Sequence, residues 1–333
     1  MRVLLARQVT LWVLLSLCRP GLCSSDCAGA NDAFCAVQAP IATKAHRFEK
    51  GTMVCFGDDC QSPLTAYAWK KHWQNYLALG TDSKLQGPLD HCCPACDSIL
   101  TQGCSNSRKE EHIFVSHIRP FMHQSKNTPP VFVELGGFDG WYETNTHFLE
   151  SCLGWKGLMI EGNPENFKIL QQNRPNTVKI SSAICNETTT VTLQGPGGAT
   201  HVADEGGVVP CAPLQSFFDM LDVQHISFFS LDVEGYELHV LNSIDWRKAS
   251  IAALVVEEIQ FGRHPEKNEA VRKFLQAAGY HLLGASCWKP ECCDSFWINK
   301  RFVDVEAAEQ HLLQNPFPGT YQINKCRPKN IKS

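Results

Sequence analysis

The chain lacks any apolar run long enough to cross a bilayer as an ordinary helix. Residues 9–18 are the first such run, and they stop short of the roughly 20 residues that a span requires, with no later stretch doing better. It also lacks a strong charge of either sign. Thirty Lys and Arg stand against 34 Asp and Glu, for a formal net charge of -4. Neither nucleic acid nor an anionic membrane is therefore attracted to the chain as a whole, and neither is expected as a partner. Internal repeats and low-complexity tracts are missing too, so the 333 residues are read as one large α/β domain plus a smaller module.

Cysteine, by contrast, is abundant, with seventeen in the chain. Arg2 and Arg7, the apolar run and the exit Arg19-Pro20-Gly21-Leu22-Cys23 have the layout of a secretory signal over residues 1–23, the alternative being an anchor that stays in the membrane. An oxidising lumen uses cysteines as staples, which agrees with that route and predicts a protein of the ER or Golgi lumen, or an exported one. The sequon Asn186-Glu187-Thr188 permits glycosylation there.

Residues 24–125 are read as a cysteine-rich, mainly helical module. Cys27, Cys35, Cys55, Cys60, Cys92, Cys93, Cys96 and Cys104 suffice for four bridges. A helix over 63–79, with Tyr67, Trp69, Trp73 and Tyr76, is expected as its apolar centre. Cys93-x-x-Cys96 has zinc or redox spacing, but no second paired motif follows it, so structural disulfides rank ahead and no metal is expected. Arg108-Lys109-Glu110-Glu111 reads as the solvated start of a helix over 110–124. Pro129 and Pro130 end that segment before the main domain, 126–333.

That domain opens with an apolar run ending at Glu134, a turn with Gly136, Gly137 and Gly140, a helical pattern over 142–152, and a second apolar run closing on Glu161. Glycines there let backbone N–H groups approach a ligand closely, and an acid ending the second strand suits ribose hydroxyls. The spacing is not the G-x-G-x-x-G of dinucleotide sites, which disfavours a nicotinamide-dependent oxidoreductase. Glu134 and Asp139 flank the turn; they would repel a pyrophosphate and suit a cofactor carrying an ammonium and a sulfonium, such as S-adenosyl-L-methionine. Further on, helices at 164–173, 214–221, 236–242 and 266–278 alternate with strands at 178–184, 226–231, 252–256, 280–283 and 295–298. A hairpin at 188–193 and a glycine-rich loop at 195–207 interrupt the series. The alternation predicts a mostly parallel sheet covered on both faces.

The runs VELGGFDGWYETNTHFLESCLGWKGLMIEGNPENFKILQQNRP and SLDVEGYELHVLNSIDW resemble the FkbM family of S-adenosylmethionine-dependent methyltransferases over residues 130–300. The resemblance implies a Rossmann-like class I methyltransferase sheet. It implies that Glu134, Gly136, Gly137 and Gly140 line the methionine side of the cofactor with Asn145 and Thr146 nearby. Glu161 would hold the ribose with Gly162 and Asn163 beside it, and Ala183 and Ile184 would contact adenine. Members more often carry alanine where Gly137 stands. Asp232, which closes a strand, and Glu234 are expected to face the transferred methyl and the acceptor. Either could take the acceptor's proton, and so could His201, His225, His239 or Glu257.

The resulting expectation is a secretory-pathway O-methyltransferase acting on a glycan or another small hydroxyl-bearing acceptor. The alternative is a secreted binding protein that keeps the fold but has lost catalysis. A divalent ion between Asp232 and Glu234 is chemically conceivable and is not part of the expectation.

Overall fold

The computed structural model describes residue 48 and residues 52–56, 59–61, 66–78, 105–123, 129–195, 200–203, 206–259, 265–289 and 292–317. The expected signal segment, the motif at 91–96 and six of the eight cysteines of 24–125 lie outside the described residues.

Along the chain the strands are β1 (Met53–Phe56), β2 (Asp59–Gln61), β3 (Val131–Leu135), β4 (Lys156–Glu161), β5 (Val178–Ser181), β6 (Ala183–Ile184) and β7 (Thr189–Gln194). There follow β8 (His201–Val202), β9 (Gly207–Ala212), β10 (His225–Leu231), β11 (Ser250–Ile259), β12 (Tyr280–Lys289) and β13 (Cys292–Asn299). Nine of them form one sheet in the order β12-β13-β11-β10-β3-β4-β5-β1-β2, and β6-β9-β7-β8 form a second, small one. The five central strands, β11 to β5, run parallel, while both flanks are antiparallel. Every residue of β3 and β4 is buried, the signature of strands covered on both faces.

The helices are α1 (Ala66–Ala78), α2 (Glu110–Ile113), α3 (His147–Ser151), α4 (Pro164–Asn173), α5 (Leu214–Leu221), α6 (Glu237–Asn242), α7 (Pro265–Ala277) and α8 (Val305–Gln314). One face of the sheet packs on Trp69, Trp73 and Tyr76 of α1, Phe217 and Phe218 of α5, Leu241 of α6 and Leu275 of α7. The other packs on Ile113 and Phe114, Leu149 of α3, Phe167 and Leu170 of α4 and Ala308 of α8. Helix α4 starts where the sequence places it: Asn163 Oδ1 accepts from the Glu165 backbone N–H at 2.9 Å, and Pro164 occupies the first helical position.

Several expectations are corrected. The chain from 110 is α-helical only to Ile113. It stays helical to Phe121, but as a wider π-helix, Phe114–Ile118, and a tighter 3₁₀ helix, Arg119–Phe121. Its start is not solvated, since Lys109, Glu110 and Glu111 are all buried. Glu111 accepts from Ser105 Oγ at 2.7 Å and from the Leu149 N–H at 3.1 Å, which fastens this segment to α3. The helix expected over 142–152 shrinks to α3, for reasons found in the site below. The strand expected over 178–184 breaks at Ser182, where the chain leaves the large sheet for the small one. Helix α8, with Asp304 Oδ1 accepting from the Ala307 N–H at 3.1 Å, was not expected.

In the region 52–78, β1 pairs with β5, and α1 packs on α5, so these residues extend the domain's own sheet and core. Disulfides join Cys55 to Cys60 across the β1–β2 hairpin, Cys185 to Cys211, and Cys287 to Cys293, and Cys152 is also bridged. No helix among the described residues is long and apolar enough to cross a membrane.

Trp73 is 1% exposed in the core shared by α1 and the sheet. Trp73→Ala should lower the stability of the whole domain by about 3–5 kcal/mol, measured as a single shifted urea transition. An unchanged midpoint would show that α1 is not part of the common core.

Candidate cofactor and active site

Strand β3 has β4 on one side and β10 on the other, so successive crossovers leave it in opposite directions. A crevice opens beyond the carboxyl ends of β3 and β10, the place where open α/β sheets bind ligands. Here it is a cavity of about 560 Å³.

Gly136 forms its floor with φ +82°, and a Cβ there would overlap the carbonyl oxygen of Asp232. The Asp232 N–H donates to the Leu135 carbonyl at 3.2 Å, and the N–H groups of Gly136 and Gly137 both reach the Ile160 carbonyl at 3.1 Å. The turn is thus clamped between the ends of β10 and β4. Gly140, at φ +72°, does not reach the cavity. It sits behind the wall, where a Cβ would lie 2.5 Å from Leu170.

Glu134 lines the cavity but spends its carboxylate on the chain. It accepts from the Asn145 N–H at 2.8 Å and from the hydroxyls of Thr144 at 2.7 Å and Thr146 at 2.5 Å. Asp139 accepts from the N–H groups of Trp141 and Tyr142. These bonds hold residues 139–146 in a turn and delay the helix to His147, because side-chain acceptors compete with the helical ladder for the same donors. Thr146, fully buried, stands behind the cavity wall rather than on it. Asn145 is on the wall; its Nδ2 donates to Ser230 Oγ at 3.0 Å, and no donor among the described residues reaches its buried Oδ1.

Behind this turn lies Arg174, 1% exposed. It pairs with Glu150 and donates to Thr144 Oγ1 at 3.0 Å and Thr146 Oγ1 at 3.1 Å. Burial pushes Glu150 up, but the guanidinium and Thr177 outweigh it and hold the carboxyl below its usual range.

Glu161 ends β4 at the cavity edge. Its two oxygens accept from the Phe138 N–H at 2.8 Å and the Asn163 N–H at 2.7 Å. Burial nevertheless pushes it up to about 7. Gly162, Asn163, Ala183 and Ile184 all line the cavity, the last two as β6 of the small sheet, with Leu193 beside them. Asn163 also donates from Nδ2 to Thr200 at 3.1 Å, tying the small sheet to α4.

At the far end Asp232 projects openly into the cavity. Glu234, held at φ +54°, and Glu257 of β11 are beside it, each offering an oxygen within 4.8 Å of the other two. Crowding by protein raises Asp232, lifts Glu234 to about 7 and drives Glu257 well up, the last two with the neighbouring carboxylates adding to it. His201 lines the cavity from β8. His225 does not: it begins β10, the strand that Asp232 follows, and binds Ser250 Oγ at 3.0 Å. His239 is an exposed helix residue packed on Tyr236 and is also off the cavity.

Sequence reading missed Arg108, Glu110, Glu143 and Asp294, all on the wall. Arg108 binds Glu143, and Asp294 reaches the site only because β13 pairs with β11. Eight carboxyl groups then face one guanidinium across the cavity, a setting for a cationic ligand rather than a phosphate-bearing one.

A doubly wound sheet with its crevice at the switch point and an acid closing its second central strand is a Rossmann-like methyltransferase fold. The methyltransferase FkbM domain profile matches residues 134–282. Among solved structures, an FkbM methyltransferase from Methylobacillus flagellatus KT is similar at 16% identity and a TM-score of 0.39, over 69% of this chain and 58% of that one. A precorrin-6y C5,15-methyltransferase from Geobacter metallireducens GS-15 is similar at 11% and 0.36, over 57% and 87%. A putative O-methyltransferase from Klebsiella pneumoniae gives 11% and 0.36, over 69% and 99%. No curated protein sequence matches the chain.

Arg174→Ala leaves Glu150 buried without its partner and should cost about 3–5 kcal/mol of stability in chemical denaturation. A loss below about 1 kcal/mol, the size of an exposed ion pair, would show that the turn does not depend on the guanidinium.

Proposed function

We propose that the chain is an S-adenosyl-L-methionine-dependent O-methyltransferase of the secretory pathway, acting on a hydroxyl of a glycan or similar small acceptor. The observation that carries the cofactor assignment is Glu161 at the end of β4: backbone N–H groups of Phe138 and Asn163 and the Asn166 side chain fix its carboxylate at the cavity edge, where it can accept from ribose hydroxyls. The residues present fit the rest of the cofactor. Asn145 Oδ1 is a buried acceptor that no donor among the described residues reaches, suited to the ammonium group, and Ala183, Ile184 and Leu193 offer adenine an apolar wall. The disulfides fit an oxidising compartment, and Asn186 of the sequon is exposed.

When bound, the cofactor supplies a methyl group whose bond to sulfur breaks with the electron pair left on sulfur while the acceptor oxygen takes the carbon. The chain's task is to hold the acceptor behind that methyl and remove its proton. We assign this role to Asp232; its opening into the cavity and its place at the end of β10, beside Gly136, support the assignment. Glu234 adds negative charge beside it and a second contact for a hydroxyl.

Two outcomes test this. Glu161 must be ionised to accept two hydroxyl donors, so affinity for S-adenosylhomocysteine should rise as pH climbs through about 7 and level off above it. Between pH 6 and 8 the calorimetric dissociation constant should improve about tenfold, and Glu161→Gln should flatten the profile. The same flattened profile in the unmodified protein would remove Glu161 from the ribose site. With labelled cofactor and neutral glycans, Asp232→Asn should reduce turnover at least about a hundredfold while leaving cofactor affinity within about threefold. Equal losses would make Asp232 a binding residue, and label found only on protein or lipid would move the acceptor class.

A further inference from the structure

The acceptor end of the cavity carries four carboxyl groups in sequence across four elements, β10, β11, β13 and α2. Asp232 follows β10, and the β10–β11 register sets Leu231 beside Val256, so Asp232 and Glu257 leave adjacent strands side by side. They are hydrogen-bonded to one another. Glu257 in turn stands directly opposite Asp294 in the antiparallel β11–β13 pair, where opposed side chains share a face. Asp294 is hydrogen-bonded to Glu110 of α2. All four line the same cavity.

The pattern of missing donors sets this row apart from an ordinary acidic patch. Among the described residues no N–H or O–H reaches Glu257 Oε2 or Glu110 Oε1, both buried, and Glu110 is only 5% exposed. A buried acceptor left without a donor is destabilising. Each pair contains one such oxygen and has a carboxyl group as its other member, while Glu110 Oε2 accepts from Ser107 Oγ at 3.1 Å and the Lys109 N–H at 3.0 Å. A proton held between the two members satisfies both, whereas two adjacent carboxylates cannot both ionise cheaply.

The surroundings favour that state. Glu143, Glu234 and Glu237 add negative charge around the row, against which Arg108 and Lys109 supply the cations. Crowding by protein raises Asp232, and burial together with the neighbouring carboxyl groups drives Glu257 and Asp294 well up.

We propose that Asp232, Glu257, Asp294 and Glu110 form a proton-sharing row, one proton within each pair, which receives the acceptor's proton at Asp232 and relays it away from the point of methyl transfer. The inference rests on the methyltransferase reading above. As the acceptor oxygen bonds to the methyl carbon, its O–H proton passes to Asp232, Glu257 yields its proton to Asp294, and Asp294 yields its own to Glu110. The row then holds three protons instead of two, and the extra one is lost to water when product leaves.

Calorimetry in two buffers of different ionisation enthalpy counts the protons exchanged on binding, and S-adenosylmethionine and S-adenosylhomocysteine differ only in the methyl and its sulfonium charge. At pH 7 the sulfonium ligand should expel about half a proton more than the neutral one from the full-length protein, and Glu257→Gln with Asp294→Asn should abolish the difference. Equal proton release by the two ligands overturns the row while leaving the cofactor site standing. No binding of either ligand overturns the methyltransferase reading and the row with it. Saturable binding of one Mg²⁺ or Mn²⁺ that cancels the difference also overturns it, because a metal then takes the protons' place.

A ligand-free readout guards against a variant that binds poorly. The raised carboxyl groups stabilise the fold below their unfolded pKa and lose that stabilisation as pH rises through the folded value. The melting temperature should therefore fall from pH 5 to pH 9, and fall less steeply in the double variant. A variant profile displaced by a constant amount at every pH would show a packing role alone and overturn the proposal.

Discussion

The close passage of Gly136 against the Asp232 carbonyl is the constraint on which the site depends. It brings the carboxyl ends of β3 and β10 together and leaves no room for a side chain between them. Everything on one side of that contact, from Glu161 to Ile184, forms a wall suited to a nucleoside. Everything on the other, from Asp232 to Asp294, forms an acidic chamber. A sheet wound in both directions from β3 opens at this one point, so the two halves meet without a separate binding domain.

Holding that geometry requires buried charge. Glu134 gathers three donors from residues 144–146, Arg174 binds the same threonines from behind, and Glu111 fastens the segment before β3 to α3. Removing Glu134 would leave the hydroxyls of Thr144 and Thr146 and the Asn145 N–H without this acceptor, which is why such a network positions a loop firmly even where its net contribution to stability is small. The turn 138–146 can therefore carry positive φ at Phe138 and Glu143, a strained course that packing alone would not enforce.

Much of the central sheet was legible because fully buried strands read as apolar runs and their crossover helices carry clear ends. Helices α4 and α5 lie where the pattern put them, as do β3 and β10 to within a residue. The glycine turn, Glu161 and Asp232 were legible for a related reason, since close backbone approach and strand-end acids leave a local mark. What escaped were features made by partners distant in sequence. The helix over 142–152 was overestimated because the claim of Glu134 on the 144–146 donors is invisible without the fold. The charged run 108–111 looked solvated because its burial depends on Asp294, Leu149 and Glu143, all remote along the chain. Gly140 and Thr146, taken from the motif, support the wall rather than line it.

The central claim is that a cationic methyl donor occupies the crevice with its ribose on Glu161 and its sulfur toward Asp232. A crystal of the protein soaked with S-adenosylhomocysteine tests it most directly. The account predicts electron density spanning the two walls, with both ribose hydroxyls within hydrogen-bond distance of Glu161 and adenine against Ala183 and Ile184. Density at another place on the surface, or the ligand reversed so that its sulfur lies away from Asp232, would contradict it.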